Sequence, residues 1–199
     1  MSRSINDVKT FWDANPCQST LSDQQDRKKY FEEITIHRYN GFDRYVPIIA
    51  KFENFRDYDI LEIGCGIGTD GQEFSKNGAR YVGIDLAPSS IKIAKERFEL
   101  FNVKGKLVIA NAEKSLPFPD NLFDHIYSFG VIHHSPNAEA IVEEMYRVLL
   151  PGGTFCVMIY NKSSINYYIE IMFLRKLLCR VIYPKFMLSL ISKITGFAE

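Results

Sequence analysis

Residues 59–71 read DILEIGCGIGTDG. An apolar run closes on three glycines set one residue apart, Gly64, Gly66 and Gly68, with an acid, Glu62, two places before the first. Glycine lets a chain turn sharply and come close to a ligand that a side chain would hold off. Placed where a strand passes into a helix, such a turn is a nucleotide-binding device, and the spacing decides which nucleotide chemistry it suits.

Working outward, a regular alternation begins at residue 58. YDILEIG reads as a strand, GTDGQEFSKN as a helix, RYVGID as a strand and PSSIKIAKERFELF as a helix with Pro88 in its first turn. KLVIAN and FDHIYSFG follow as strands, PNAEAIVEEMYRVL as a helix after the Ser135-Pro136 start signal, and TFCVMIY as a strand after a Pro151-Gly152-Gly153 turn. Strands alternating with helices imply parallel pairing and a doubly wound α/β sheet of Rossmann-like type. Ligands of such sheets sit beyond the carboxyl ends of the strands. The pattern therefore divides the chain into an N-terminal helical covering segment (1–57), a ligand-binding core (58–160) and an apolar, helix-patterned tail (161–199).

Composition narrows the function. The 199 residues are 46% hydrophobic, enough for a sizeable core, and Lys+Arg and Asp+Glu are both 24, so there is no basic excess of the kind nucleic-acid binding needs. Cys17, Cys65, Cys156 and Cys179 show no metal-ligand spacing and suit a reducing compartment, with the cytoplasm as the expectation. The first 17 residues lack the apolar stretch of a signal peptide. The apolar stretch after Tyr168 is broken by Glu170, Arg175, Lys176, Arg180 and Lys185 and is not expected to span a membrane. Nothing in the pattern defines an oligomeric state.

A dinucleotide fingerprint, G-x-G-x-x-G, needs a third glycine where this chain has Thr69, and a P-loop needs a lysine that is not here. Asp85, at the end of the second strand and 21 residues past Gly64, suits a carboxylate that accepts the hydroxyls of an adenosine ribose. Glu62 would repel a pyrophosphate and favour a cation. The loop is thus expected to take a positively charged adenosine ligand.

Five segments in order carry a resemblance: EIGCGIG, GID, NAEKSLPFPDNLFD, SFGVIHHSPN and LLPGGT. Together they resemble a class I S-adenosylmethionine-dependent methyltransferase, and are similar to its small-molecule branch, which includes quinone-biosynthesis-type methyltransferases. FWDANPC, at residues 11–17, looks like an N-terminal helix of the same group. The resemblance implies S-adenosyl-L-methionine as cofactor and a small-molecule methyl acceptor. It places the Gly64–Gly68 loop, Cys65 included, against the methionine part, with Glu62 orienting that part. Asp85 would hold the ribose, Leu86 and Ala112 would flank the adenine, and Asn111 would face the exocyclic amine, where many relatives carry Asp. Ser128 would meet the amino group through its carbonyl, and Glu113 and Phe129 complete the set. The fold also implies two strands after the fifth, for which the tail offers no convincing pattern.

His133 and His134, just past the fourth strand, are the candidates for a catalytic base, since imidazole titrates near working pH. A metal site is not expected from two adjacent histidines. His37, Arg38 and Tyr39 are read either as part of a covering lid or as a solvated helix face, and Phe11, Trp12, Tyr30, Phe31, Tyr39 and Phe129 as candidate aromatic walls. The apolar tail suggests a lipophilic acceptor. Two alternatives remain at this level: a nicotinamide-dependent oxidoreductase and a non-catalytic cofactor-binding scaffold.

Overall fold

A computed structural model describes residues 4–41 and 43–161. The expectations for the tail, including the two further strands, lie outside these residues. Three helices open the chain: α1 (Ile5–Ala14), α2 (Arg27–Asn40) and α3 (Val46–Ala50). There follow β1 (Asp59–Ile63), α4 (Thr69–Lys76), β2 (Arg80–Asp85), α5 (Pro88–Leu100), β3 (Lys106–Ile109), β4 (Phe123–Phe129), α6 (Ala138–Val148) and β5 (Leu149–Met158).

Helix starts follow local chemistry. Ser4 and Asp7 form a reciprocal capping box on α1, and Asp26 accepts the N–H groups of Lys28 and Lys29 at the start of α2. Pro88 opens α5, where a missing N–H costs nothing.

Among the described residues the five strands are parallel and ordered β3-β2-β1-β4-β5. The chain winds one way from β1 to β3, then returns to place β4 on the other side of β1. A crevice opens at that reversal, above the ends of β1 and β4.

Strand parity sorts the core into two layers. Ile60, Tyr81 and Tyr127 pack with Phe74 of α4 and with Ile91, Ala94 and Phe98 of α5. Leu61, Ile63, Ile84 and Ile126 pack on the opposite side with Ile141, Met145 and Val148 of α6. Each such fully buried side chain contributes roughly 1.5–3 kcal/mol of transfer free energy.

The last strand departs from expectation. Strand pairing starts at Leu149, opposite Phe123, and resumes with Thr154 opposite His125. Residues 150–153 therefore bulge out opposite Asp124 alone, and Gly152 supplies the φ of 81° that the bulge requires. The expected Pro-Gly-Gly turn is an irregularity inside β5.

Candidate cofactor cleft

The crevice holds a cleft whose empty space, open mouth included, is about 860 Å³. Its floor is Ile63, Gly64 and Gly66 after β1, and Asp85 and Leu86 after β2. Ala110 to Glu113 after β3 and Phe129 to Val131 after β4 continue it, His134, Ser135 and Ile141 form one flank, and Ile5, Val8 and Trp12 of α1 with Cys17 form the other.

The glycine loop is pinned by its neighbours. The N–H groups of Gly64 and Cys65 both reach the Ile84 carbonyl, at 2.8 and 3.0 Å. Asp85 Oδ2 accepts the N–H of Gly66 at 2.9 Å, while Oδ1 accepts that of Ala87 at 2.8 Å. Burial raises the Asp85 carboxyl above its ordinary range, and these backbone donors act against the rise. Each oxygen retains a lone pair, so the carboxylate can still accept two hydroxyls from the cleft. Gly64 and Gly66 have positive φ; a Cβ on Gly64 would meet the Val131 side chain at 2.3 Å, whereas one on Gly66 would meet no protein atom within 4 Å. The open space beside Gly66 is what a ligand that approaches the backbone requires.

Several expected residues lie elsewhere. Glu62 does not line the cleft. The parity that points Ile60 at α4 and α5 points Glu62 the same way, and it is buried with Tyr81 Oη donating to Oε2 at 2.5 Å. Tyr81 reaches it through a slot where a Cβ on Gly71 or Gly83 would collide with its ring or hydroxyl. Burial, reinforced by the negative charge of Asp70, pushes the Glu62 carboxyl up to about 8. At neutral pH the expected cation-attracting carboxylate is a mostly protonated acid beneath the loop.

Cys65 also turns down into the core, where burial raises its thiol. Gly68 caps α4, and a Cβ there would sit 3.1 Å from Ala94 Cβ; it serves helix packing and not the cleft wall. Ser128 is buried, and its hydroxyl donates to the Ile63 carbonyl at 3.0 Å. His133 stands behind the wall, and burial, with His134 beside it, lowers its imidazole to about 4, away from the expected working range. His134 lines the cleft, edge-on to Trp12 at 5.3 Å between ring centroids.

Gly64, Gly66, Asp85, Leu86, Asn111, Ala112, Glu113 and Phe129 are brought together on one surface. The Asn111 oxygen accepts the Glu113 N–H at 2.9 Å, which occupies one of its lone pairs. Glu113 in turn braces the far flank, accepting from the Ser135 hydroxyl and from the Asn137 N–H. Of the candidate aromatic walls, Trp12 and Phe129 line the cleft, and Phe11 packs edge-on against Trp12. Tyr30 and Phe31 belong to a separate cluster with Ile34 and Ile67.

Arg38 and Tyr39 are neither lid nor solvated face. Arg38 Nε donates to Asp70 Oδ1 at 2.6 Å, and its Nη2 contacts the second carboxylate oxygen. The hydroxyls of Tyr39 and Tyr127 donate to the same carboxylate, at 2.8 and 3.0 Å. Burial alone would raise Asp70, but Arg38 and these donors hold it below the usual carboxylate range. His37, by contrast, is exposed.

Sequence reasoning missed the contribution of Ile5, Val8 and Cys17, and the bracing by Ser135. The 3-4 apolar spacing of Ile5, Val8 and Trp12 along α1 was the available signal.

Among the described residues no group of three or more His, Cys, Asp or Glu side chains converges as a metal site, and no helix is long and apolar enough to cross a membrane.

A five-stranded parallel sheet with a pinned glycine loop and a second-strand acid facing a cleft at the topological switch defines an S-adenosylmethionine-dependent methyltransferase fold. Residues 61–157 match the methyltransferase domain family. It is 30% identical over 192 residues to a sterol 24-C-methyltransferase of Pneumocystis carinii, covering 80% of this chain and 50% of that one. It is 33% identical over 127 residues to a phosphoethanolamine N-methyltransferase of Caenorhabditis elegans, covering 62% and 29% respectively. The chain spans about half the length, or less, of the curated relatives it matches. Among solved structures, the YcgJ protein of Bacillus subtilis superposes with a TM-score of 0.54 at 28% identity, over 57% of this chain and 49% of that one. S-adenosylmethionine is the cofactor of this class.

Proposed function

We propose that the chain transfers a methyl group from S-adenosylmethionine to a small, largely apolar acceptor at the cleft between the ends of β1 and β4. One observation carries this reading: the described residues lining the cleft include Asp85 and Glu113 but no Lys or Arg. A cationic adenosine ligand finds acids and an apolar shelf there. The nicotinamide alternative is disfavoured by Thr69, which stands where a dinucleotide fingerprint needs its third glycine.

When bound, the cofactor supplies a methyl group already activated on a positive sulfur. The protein's task is then alignment and exclusion of water. Asp85 accepts the ribose hydroxyls, Leu86 and Ala112 flank the base, Asn111 offers its remaining lone pair to the exocyclic amine, and Gly64 and Gly66 admit the methionine part. Ser128, buried behind Phe129, reaches the cofactor at most through its backbone. His134 replaces His133 as the candidate base, because it faces the cleft; it is needed only for an acceptor that must lose a proton. Ile5, Val8, Trp12 and Ile141 make the wall apolar, which favours a lipophilic acceptor, in keeping with the sterol enzymes among the relatives. Free thiols at Cys17, Cys65 and Cys156 fit a reducing compartment such as the cytoplasm.

Parallel calorimetric titrations with S-adenosylhomocysteine and NAD test the reading. Heat from the first alone is the expected result; binding of NAD alone would replace it with an oxidoreductase.

A further inference from the structure

Helix α1 is held lightly for an element that walls a binding cleft. None of its residues is fully buried, and its cleft-facing residues, Ile5, Val8 and Trp12, are half-buried. Its strongest tie lies at the C-terminal end. Asp13 Oδ1 accepts the N–H of Ser89 at 2.8 Å, and the Ser89 hydroxyl donates to the main-chain carbonyl of Asp13 at 2.7 Å.

Ser89 is the second residue of α5, so its N–H is among those a helix start leaves without an intrahelical partner. Ala87, at the capping position, makes no side-chain cap. Asp13 thus caps α5 from a different helix, 76 residues away in sequence, with its carboxylate at the positive end of the α5 dipole. The bonds from Ser89 hold the Asp13 carboxyl below the ordinary range, so it is charged at neutral pH. The next residue toward the N-terminus is Trp12, which forms the cleft wall against His134. The tie and the wall are therefore one rigid turn of helix.

We propose that Asp13 is a positioning residue that latches α1 over the cleft and so gates entry and exit of the cofactor; the gate rests on the reading that S-adenosylmethionine occupies this cleft. With the Asp13–Ser89 bonds made, Ile5, Val8 and Trp12 close one side. With them broken, α1 loses its anchor on α5 and that side opens.

Trp12 is the sole tryptophan of the chain, so its fluorescence follows α1 directly. Stopped-flow mixing with S-adenosylhomocysteine gives association and dissociation rates, and hydrogen exchange of the 5–14 amides in the ligand-free protein reports the latch without any ligand. For Asp13→Ala both rates are expected to rise about tenfold, the effect of losing one charge-assisted hydrogen bond, together with faster α1 exchange. Asp13→Asn, which keeps an acceptor, is expected to restore most of the slow behaviour. Ser89→Ala, which removes only the hydroxyl bond, gives an intermediate acceleration and serves if Asp13→Ala does not fold.

A rise in dissociation rate alone would overturn the gate and leave α1 a passive wall, and wild-type rates in both variants would overturn the latch. If the folded wild-type chain binds no S-adenosylhomocysteine while α1 exchange still responds to Asp13→Ala, the cofactor reading fails and takes the gate with it, leaving a purely structural clasp.

Discussion

Asp85 holds two positions at once: its oxygens fix the N–H groups of Gly66 and Ala87 and also face the cleft. Asp85→Ala is therefore expected to weaken S-adenosylhomocysteine binding by ~1–3 kcal/mol, measured by calorimetry, and to raise hydrogen exchange at Gly66. Unchanged affinity would remove the ribose role. Glu62 makes a different prediction. Its folded pKa, about 8, lies above the ordinary value of 4.5, so the folded state binds its proton more tightly than the unfolded state does. The stability this proton contributes is fully present below pH 4.5 and is lost as pH rises through about 8. Glu62→Gln cannot titrate, so its melting temperature should gain on that of the wild type across this window, by the equivalent of a few kcal/mol at most. Parallel melting curves for the two proteins would contradict the assignment.

At the scale of elements, α2 is bound to α4 through charge. The side chains of Arg38 and Asp70 are only 10% and 3% exposed, so removing one leaves the other buried without its partner. Arg38→Met is expected to cost about 3–5 kcal/mol in denaturant unfolding. Adding Asp70→Leu should recover only part of this, because the hydroxyls of Tyr39 and Tyr127 then lose their acceptor. These couplings also mark where the sequence was legible. The β2 span, the Pro88 start of α5 and the glycine loop all follow from local signals, namely apolar periodicity, a ring that fixes φ, and residues that tolerate positive φ. Pairings across 32 residues (Arg38 with Asp70) or 76 residues (Asp13 with Ser89) have no local signature. The placement of Glu62 is hidden for a related reason: its position at the end of an apolar run is visible in the sequence, but the side of the sheet it faces depends on where α4 and α5 settle.

At the scale of the whole molecule, the described fold has two poles. Apart from the one that carries Cys17, the loops that line the cleft leave the carboxyl ends of strands, and four of the five ordered motifs, all but LLPGGT, lie at that pole because each contains the end of a strand or the loop that follows it. The bulge at residues 150–153 belongs to the other pole, beside the start of β4. Pro151 and Gly152 there are exposed, and nothing lies within 4 Å of a Cβ placed on Gly152. Such a site tolerates added chain, because loop length costs little once the ends are fixed. A short Gly/Ser insertion after Gly152 should leave the circular dichroism spectrum and S-adenosylhomocysteine affinity unchanged, which makes the bulge an attachment point for a reporter or a fused domain that can be fitted without disturbing the chemistry at the opposite end.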